Sequence, residues 1–202
     1  MYLRNEEYPH PKISTCKGVF RRQKGQVQWV AGFFFVLFMG ILLCAQLQLD
    51  AYRATSSYLE DALAASNLAS AIIDLEEFGR THNILIAEPE EAYEIFCNAV
   101  KENLHLNDAW EGQNEALISG RVEVVCFIVY NLKDDAVIVH QMLSDGSSIT
   151  WQENPGNVFA PNGLPVETTA IYSELTFPVE GFLGVVVQAH KGKLVDIVAN
   201  EE

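Results

Sequence analysis

The rhythm of hydrophobic positions changes three times along this chain, and each change marks a different kind of element. From Gly25 to Leu49 there is no charged residue, and Trp29 to Ala45 is continuously apolar. A helix rises about 1.5 Å per residue, so roughly 20 residues cross the ~30 Å hydrocarbon layer of a bilayer. Residues 26–49 are therefore expected to form a transmembrane helix. After Leu49, Ala54, Tyr58, Leu59, Ala62, Leu63, Ala65, Leu68, Ala69, Ile72 and Leu75 recur at three- and four-residue steps without proline, a helical period. One continuous helix is expected from Val27 to Phe78, with Gly79 as its C-cap. Ala51, Ala54, Ala62, Ala64, Ala65, Ala69 and Ala71 make this continuation rich in small residues. That composition serves close approach of a neighbouring helix or simply high helix propensity.

Glu88-Pro89-Glu90 predicts the start of a second helix, with proline at its favoured first position and acids in the first turn. Its stripe of Ala92, Ile95, Phe96, Ala99 and Val100 predicts an amphipathic helix laid on a sheet. From Arg121 the period becomes two. Val122, Val124, Cys126, Ile128 and Tyr130 are expected on one face of a strand, and Val125, Phe127 and Val129 on the other. Lys133-Asp134-Asp135 reads as a hairpin turn into a strand over 136–142. Asp145-Gly146 reads as a turn into a strand over 148–152. Asn154-Pro155-Gly156 and Pro161-Asn162-Gly163 punctuate an irregular loop. The last strands are expected at 169–176, 182–190 and 194–199, the final two joined by Lys191-Gly192-Lys193. Helices followed by a run of strands predict an α+β fold with an antiparallel sheet at residues 88–202.

Charge adds direction to this layout. Of the 202 residues, 1–24 carry six Lys or Arg against Glu6 and Glu7, a net of +4, whereas the remainder carries seven basic and twenty-five acidic residues, a net of −18. Arg21, Arg22 and Lys24 directly precede the apolar segment, and positive flanks stay cytoplasmic. Residues 1–25 are thus expected to be a basic cytoplasmic leader, with 50–79 and the α+β domain extracytoplasmic. A cleaved secretory signal, the ordinary alternative, has an apolar core of about 7–15 residues ending at an Ala-x-Ala type site. The run here is longer, and it passes through Gln46 and Gln48 without such a site. A strongly acidic outer domain also argues against nucleic acid as a partner, because the phosphate backbone needs a cationic face.

The residues that could carry chemistry do not gather into a motif. The four cysteines follow no zinc spacing, and Cys16 and Cys44 fall in the leader and the span. Cys97 and Cys126 share the outer domain, one on the covering helix and one on the strand face that the helix is expected to meet. A disulfide between them in an oxidising compartment and two buried free thiols are both open. His82, His105, His140 and His190 are scattered, and no nucleophile elbow, P-loop or dinucleotide fingerprint occurs. No enzyme activity, metal or cofactor is expected.

The stretch Arg21-Arg22-Gln23-Lys24-Gly25-Gln26-Val27-Gln28-Trp29-Val30-Ala31-Gly32-Phe33-Phe34-Phe35 resembles the N-terminal region of type IV pilin-like proteins. In that family a basic leader ends in Gly before an apolar helix. The resemblance implies cleavage by a prepilin-type peptidase between Gly25 and Gln26. The whole layout is similar to the pseudopilins of the tight-adherence (Tad) system, particularly TadE-like ones. Val30 stands where the family has a Glu, which implies a minor or uncleaved pseudopilin in place of a filament-building one. The partners implied are the membrane and other pilin-like or pilus-assembly proteins. Packing would run through the N-terminal helix, with Gly32, Gly40 and Ala45 as the small residues that permit close contact. A reading from another class is a single-pass anchored binding or sensory domain, with 50–78 as a stalk and a ligand pocket among the loops around Asn154–Pro165.

Overall fold

The computed structural model describes residues 23–113, 118, 120–143, 146–180, 184 and 186–198. Three helices, α1 (Gln23–Ser70), α2 (Leu75–Thr81) and α3 (Pro89–Asn103), precede five strands. These are β1 (Glu123–Lys133), β2 (Ala136–Met142), β3 (Ser148–Glu153), β4 (Ala170–Glu180) and β5 (Val186–Asp196). The fold is α+β, with one antiparallel sheet ordered β3-β2-β1-β4-β5. The chain divides into two compact units between Leu47 and Gln48. In the first, the described residues are the N-terminal half of α1. Basic residues Arg21 and Arg22, with Cys16 and most of the expected leader, lie outside the described residues.

The second unit is layered. On one face of the sheet, Leu59 and Leu63 of α1 and Phe96 and Val100 of α3 pack with Phe127, Val129, Ile171 and Leu175. The Phe96 and Phe127 rings stand 4.8 Å apart. Fully burying such side chains is worth roughly 1.5–3 kcal/mol each. On the opposite face Cys126, Ile128, Tyr130, Val137, Val139 and Tyr172 form a second core. It is closed by Val158, Ala160 and Val166 from the 154–168 connection. The turn at Asn154–Asn157 and the one at Ala160–Leu164 each carry a positive-φ glycine, Gly156 at +85° and Gly163 at +82°.

Several elements start where local chemistry predicts. Pro89 is the first residue of α3 and Glu90 and Glu91 fill its first turn. The β1–β2 hairpin closes with Lys133 opposite Ala136, and Asp134 takes the left-handed conformation (φ +52°). Strand β3 covers the expected 148–152 and one residue more. Asp145 of the expected preceding turn, Phe182 and Ala199 lie outside the described residues.

Four expectations are corrected. The first helix does not run to Phe78. It stops at Ser70, Ile73 bridges to Ile86, and Asp74 caps a separate helix by accepting a hydrogen bond from the Glu77 backbone N–H at 3.0 Å. Gly79 is interior to that helix, and the cap beyond it is His82 in the left-handed region (φ +61°). The faces of β1 do not alternate through its whole length either. A bulge leaves Val125 between the pairs Val124–Leu175 and Cys126–Glu174, so Val124 joins the Phe127 face and Cys126 the opposite one.

Finally, Lys191-Gly192-Lys193 is not a turn. One strand, β5, passes through it, paired with β4 from Ala170–Asp196 to Glu180–Val186. Gly192 is there because the Tyr172 ring lies across it: an added Cβ would stand 2.3 Å from the Tyr172 hydroxyl oxygen. The residues between α2 and α3 are fixed by side chains that imitate strand pairing. Asn131 accepts from the Ile86 N–H at 2.8 Å and donates to the Ile86 carbonyl at 3.0 Å, both buried.

Candidate functional site

The feature that distinguishes the first unit is its surface. Among the described residues, one helix is long and apolar enough to cross a membrane, and it is α1. From Gln28 to Ala54 every residue is exposed, including Phe33, Phe34, Phe35 and Phe38. Exposed aromatic and aliphatic groups around the full circumference of a helix that satisfies its own backbone hydrogen bonds are compatible with a membrane-crossing segment. Trp29 and Tyr52 bracket the segment 23 residues apart, roughly 35 Å of helix rise, a length sufficient to cross a bilayer.

The residues proposed for helix packing separate into two groups. A Cβ added at Gly32 or Gly40 would meet nothing within 4 Å, so each opens a notch in the surface. The notch at Gly32 is bordered by Gln28, Trp29, Phe33 and Val36. Gly32, Val36, Gly40 and Cys44 follow one another at four-residue steps and share a broad face. Ala45 lies roughly 140° around the helix from Gly40 and does not extend that face. The Gly25–Gln26 junction falls in the first turn of α1. Val30 is exposed and carries no charge.

In the second unit the titratable groups are occupied in holding elements together. Glu60 of α1 accepts from Lys193 Nζ at 2.7 Å and pairs with Lys191 Nζ at 2.9 Å. Those two ammonium groups, Lys193 foremost, hold its carboxyl at about pKa 2. Lys191 also donates to Ser56 at 3.3 Å. The sequence reading missed this clamp because it placed both lysines in a turn. The available signal was their alternation across Gly192, which sends both to the same sheet face. Glu77 is likewise lowered by Lys133, at 3.1 Å, and by Arg80.

The scattered histidines stay apart. His140 Nδ1 meets Thr150 Oγ1 at 3.0 Å, and burial lowers its pKa against the opposing pull of Glu90. His190 Nδ1 meets Thr176 Oγ1 at 2.9 Å and lies 3.6 Å from Glu174. Among the described residues no three His, Cys, Asp or Glu side chains gather into a group that could hold a metal ion.

Cys97 and Cys126 are not brought together. Cys97 packs against the α1/α3 core, Cys126 lies in the core on the other face, and both are free thiols. The physical reason is the face of β1 that α3 covers: it carries Phe127 and Val129, not Cys126. Burial raises both thiols, Cys126 to about 11, which suppresses thiolate formation near neutral pH. The loop expected to line a ligand pocket spends Val158, Ala160 and Val166 on the second core.

No protein-family model, no curated protein and no solved structure matches this chain.

Proposed function

We propose that this chain is a pseudopilin-like assembly component, anchored by one membrane-crossing helix and joined to partner subunits through that helix. Its N-terminus lies in the cytoplasm and its acidic α+β domain outside, as the basic residues before the span direct. The partners are other pilin-like or pilus-assembly proteins, with a prepilin-type peptidase acting at Gly25–Gln26. The role is one of assembly, without catalysis, cofactor or nucleic acid.

The observation that carries this reading is the division of α1 into an exposed, uncharged half and a half that belongs to the core of the domain. A single helix thus supplies both the anchor and part of the fold. An apolar helix has no hydrophobic drive to associate within lipid, so association depends on close packing, and Gly32 and Gly40 offer it. An anchored binding or sensory domain draws less support, because residues 59–70 are a layer of the domain instead of a stalk. The test is a membrane two-hybrid assay of the full chain against itself and against neighbouring envelope proteins. Gly40→Leu fills the notch and is expected to lower the association signal about tenfold, the equivalent of ~1.4 kcal/mol. Unchanged association would remove the packing argument.

A further inference from the structure

The two edges of the sheet are finished differently. At the β5 edge, Lys191 and Lys193 put charge on the strand and α1 lies against it: Asn67 donates to the Lys193 carbonyl at 3.1 Å, and Glu60 holds both ammonium groups. Lysine on an edge strand and a helix laid over it are two of the devices that keep another chain from pairing there. The β3 edge has neither. All six residues of β3 are exposed, and among the described residues its backbone pairs with β2 alone. That pairing runs without a bulge from Met142–Ser148 to Val137–Glu153. Within β3, Ser148-Ile149-Thr150-Trp151-Gln152 has no charge and no proline.

The period of two decides what such a strand offers. Ser148, Thr150 and Gln152 share one face. Ile149 and Trp151, 48% and 37% exposed, share the other, where Trp151 stands opposite Val139 of the second core. An antiparallel partner strand keeps each face with itself only when residues of like parity meet. For β3 against a second β3, the register centred on Thr150 does this. It sets Ser148 opposite Gln152, Ile149 opposite Trp151 and Thr150 opposite itself, so five uncharged residues meet five uncharged residues. Centring on Trp151 would set Glu153 opposite Ile149, and centring on Ile149 would leave Trp151 and Gln152 without partners inside the strand. The strand is thus complementary to itself in one register about a two-fold axis, as an isologous contact requires. Its two Ile–Trp pairs join an aromatic ring to a β-branched side chain, a favourable cross-strand combination.

We propose that β3 is a docking edge for β3 of a second copy of this chain, joining two five-stranded sheets into one antiparallel sheet about a two-fold axis at Thr150. Ile149 and Trp151 of both copies form an apolar group across the axis on one face. Serine, threonine and glutamine cross it on the other. The inference is independent of the pilin-like reading, because it concerns residues 148–152 and holds whatever α1 meets.

The full-length chain, purified in detergent with Cys16 and Cys44 replaced by serine, tests this by oxidation with copper phenanthroline. Directly opposed residues have Cβ atoms about 4.5–5.5 Å apart, whereas Gln152 and its own copy would stand roughly 14 Å apart along the paired strands. Thr150→Cys is therefore expected to give at least about tenfold more disulfide-linked dimer than Gln152→Cys. Peptide mapping should place the bond between position 150 of one chain and position 150 of the other. Thr150 Oγ1 also lies 3.0 Å from His140 Nδ1, so a second variant guards against a local fault at that position. The double variant Ser148→Cys/Gln152→Cys brings opposed positions together and is expected to cross-link although Gln152→Cys alone does not. Absence of dimer from both Thr150→Cys and the double variant overturns the proposal. Equal yields from Thr150→Cys and Gln152→Cys overturn it as well, since they report collision without a register. A cross-link from position 150 that forms only to a different protein, after host envelope extract is added, assigns the edge to another partner and also overturns it.

Discussion

The two halves of α1 are both helical and both rich in apolar and small residues, yet they differ completely in exposure. From Gln28 to Ala54 the helix exposes every residue. Between Leu59 and Ser70 it buries Leu59, Ala62, Leu63, Ser66, Asn67 and Ser70. The difference lies in where polar groups sit and what they bind. In the C-terminal half Ser66 accepts from Asn103 at 3.0 Å and donates to the Ala62 carbonyl at 2.7 Å, while Asn67 donates to the Ile171 and Lys193 carbonyls. Those bonds offset the desolvation of buried polar groups and fix how α1 meets α3 and the sheet. In the N-terminal half there is no polar stripe between Trp29 and Ala45 to mark a wet face. One-sidedness is the signature of a helix packed at a protein surface, whereas an all-round apolar helix is one to be covered on every side, by protein or by lipid.

The sharpest way to break that comparison is to truncate a phenylalanine in each region. Phe127→Ala removes a side chain with 0% exposure and is expected to cost the domain 3–5 kcal/mol, read by denaturant unfolding. Phe34→Ala, in the exposed half of α1, should leave the same transition within about 0.5 kcal/mol. Equal losses would mean that the exposed half is part of the domain's core.

A smaller effect is expected at Asn131, which has no counterpart in the apolar half. Asn131→Ala leaves the buried N–H and C=O of Ile86 without their partners, an expected loss of about 1–3 kcal/mol. Hydrogen exchange at the Ile86 amide should rise before that of the β1 amides, and unchanged protection there would contradict the role assigned to Asn131.

The smallest effect belongs to Glu60, where α1 is clamped to β5. Its folded pKa of about 2 lies below its ordinary 4.5, so its stabilisation is fully present above pH 4.5 and disappears as pH falls through about 2. Its partners are partly solvated, which limits the contribution to about 0–1 kcal/mol. Glu60→Gln should lower stability by that amount at pH 7 and flatten this part of the pH dependence. A variant with the wild-type slope between pH 4.5 and 2 would show that the clamp contributes nothing.

What could be read from the sequence was what local chemistry decides. The span follows from an uncharged run, the start of α3 from Glu88-Pro89, and the β1–β2 hairpin from two asparates between alternating segments. What could not be read depends on distant partners. Residues 71–74 are compatible with a helix on their own, and the chain leaves it there because Ile73 bridges Ile86. The bulge at Val125 exists only against β4, and it puts Val122 and Val124 on the face opposite Cys126, Ile128 and Tyr130, where a simple alternation had put all five together. Lys191-Gly192-Lys193 has the composition of a turn. It is a strand because Tyr172 needs the space at Gly192 and Glu60 receives both lysines. Spacing also places Gly32 and Gly40 on one broad helix face and Ala45 off it.

The central claim is that the exposed half of α1 belongs to a processed, pilin-like assembly subunit, and its most direct test is the N-terminus of the protein isolated from its native host, determined by mass spectrometry. The account predicts a mature chain beginning at Gln26, the product of cleavage after Gly25. A chain that retains Met1 would contradict processing and leave either an uncleaved pilus component or an anchored binding domain as the reading.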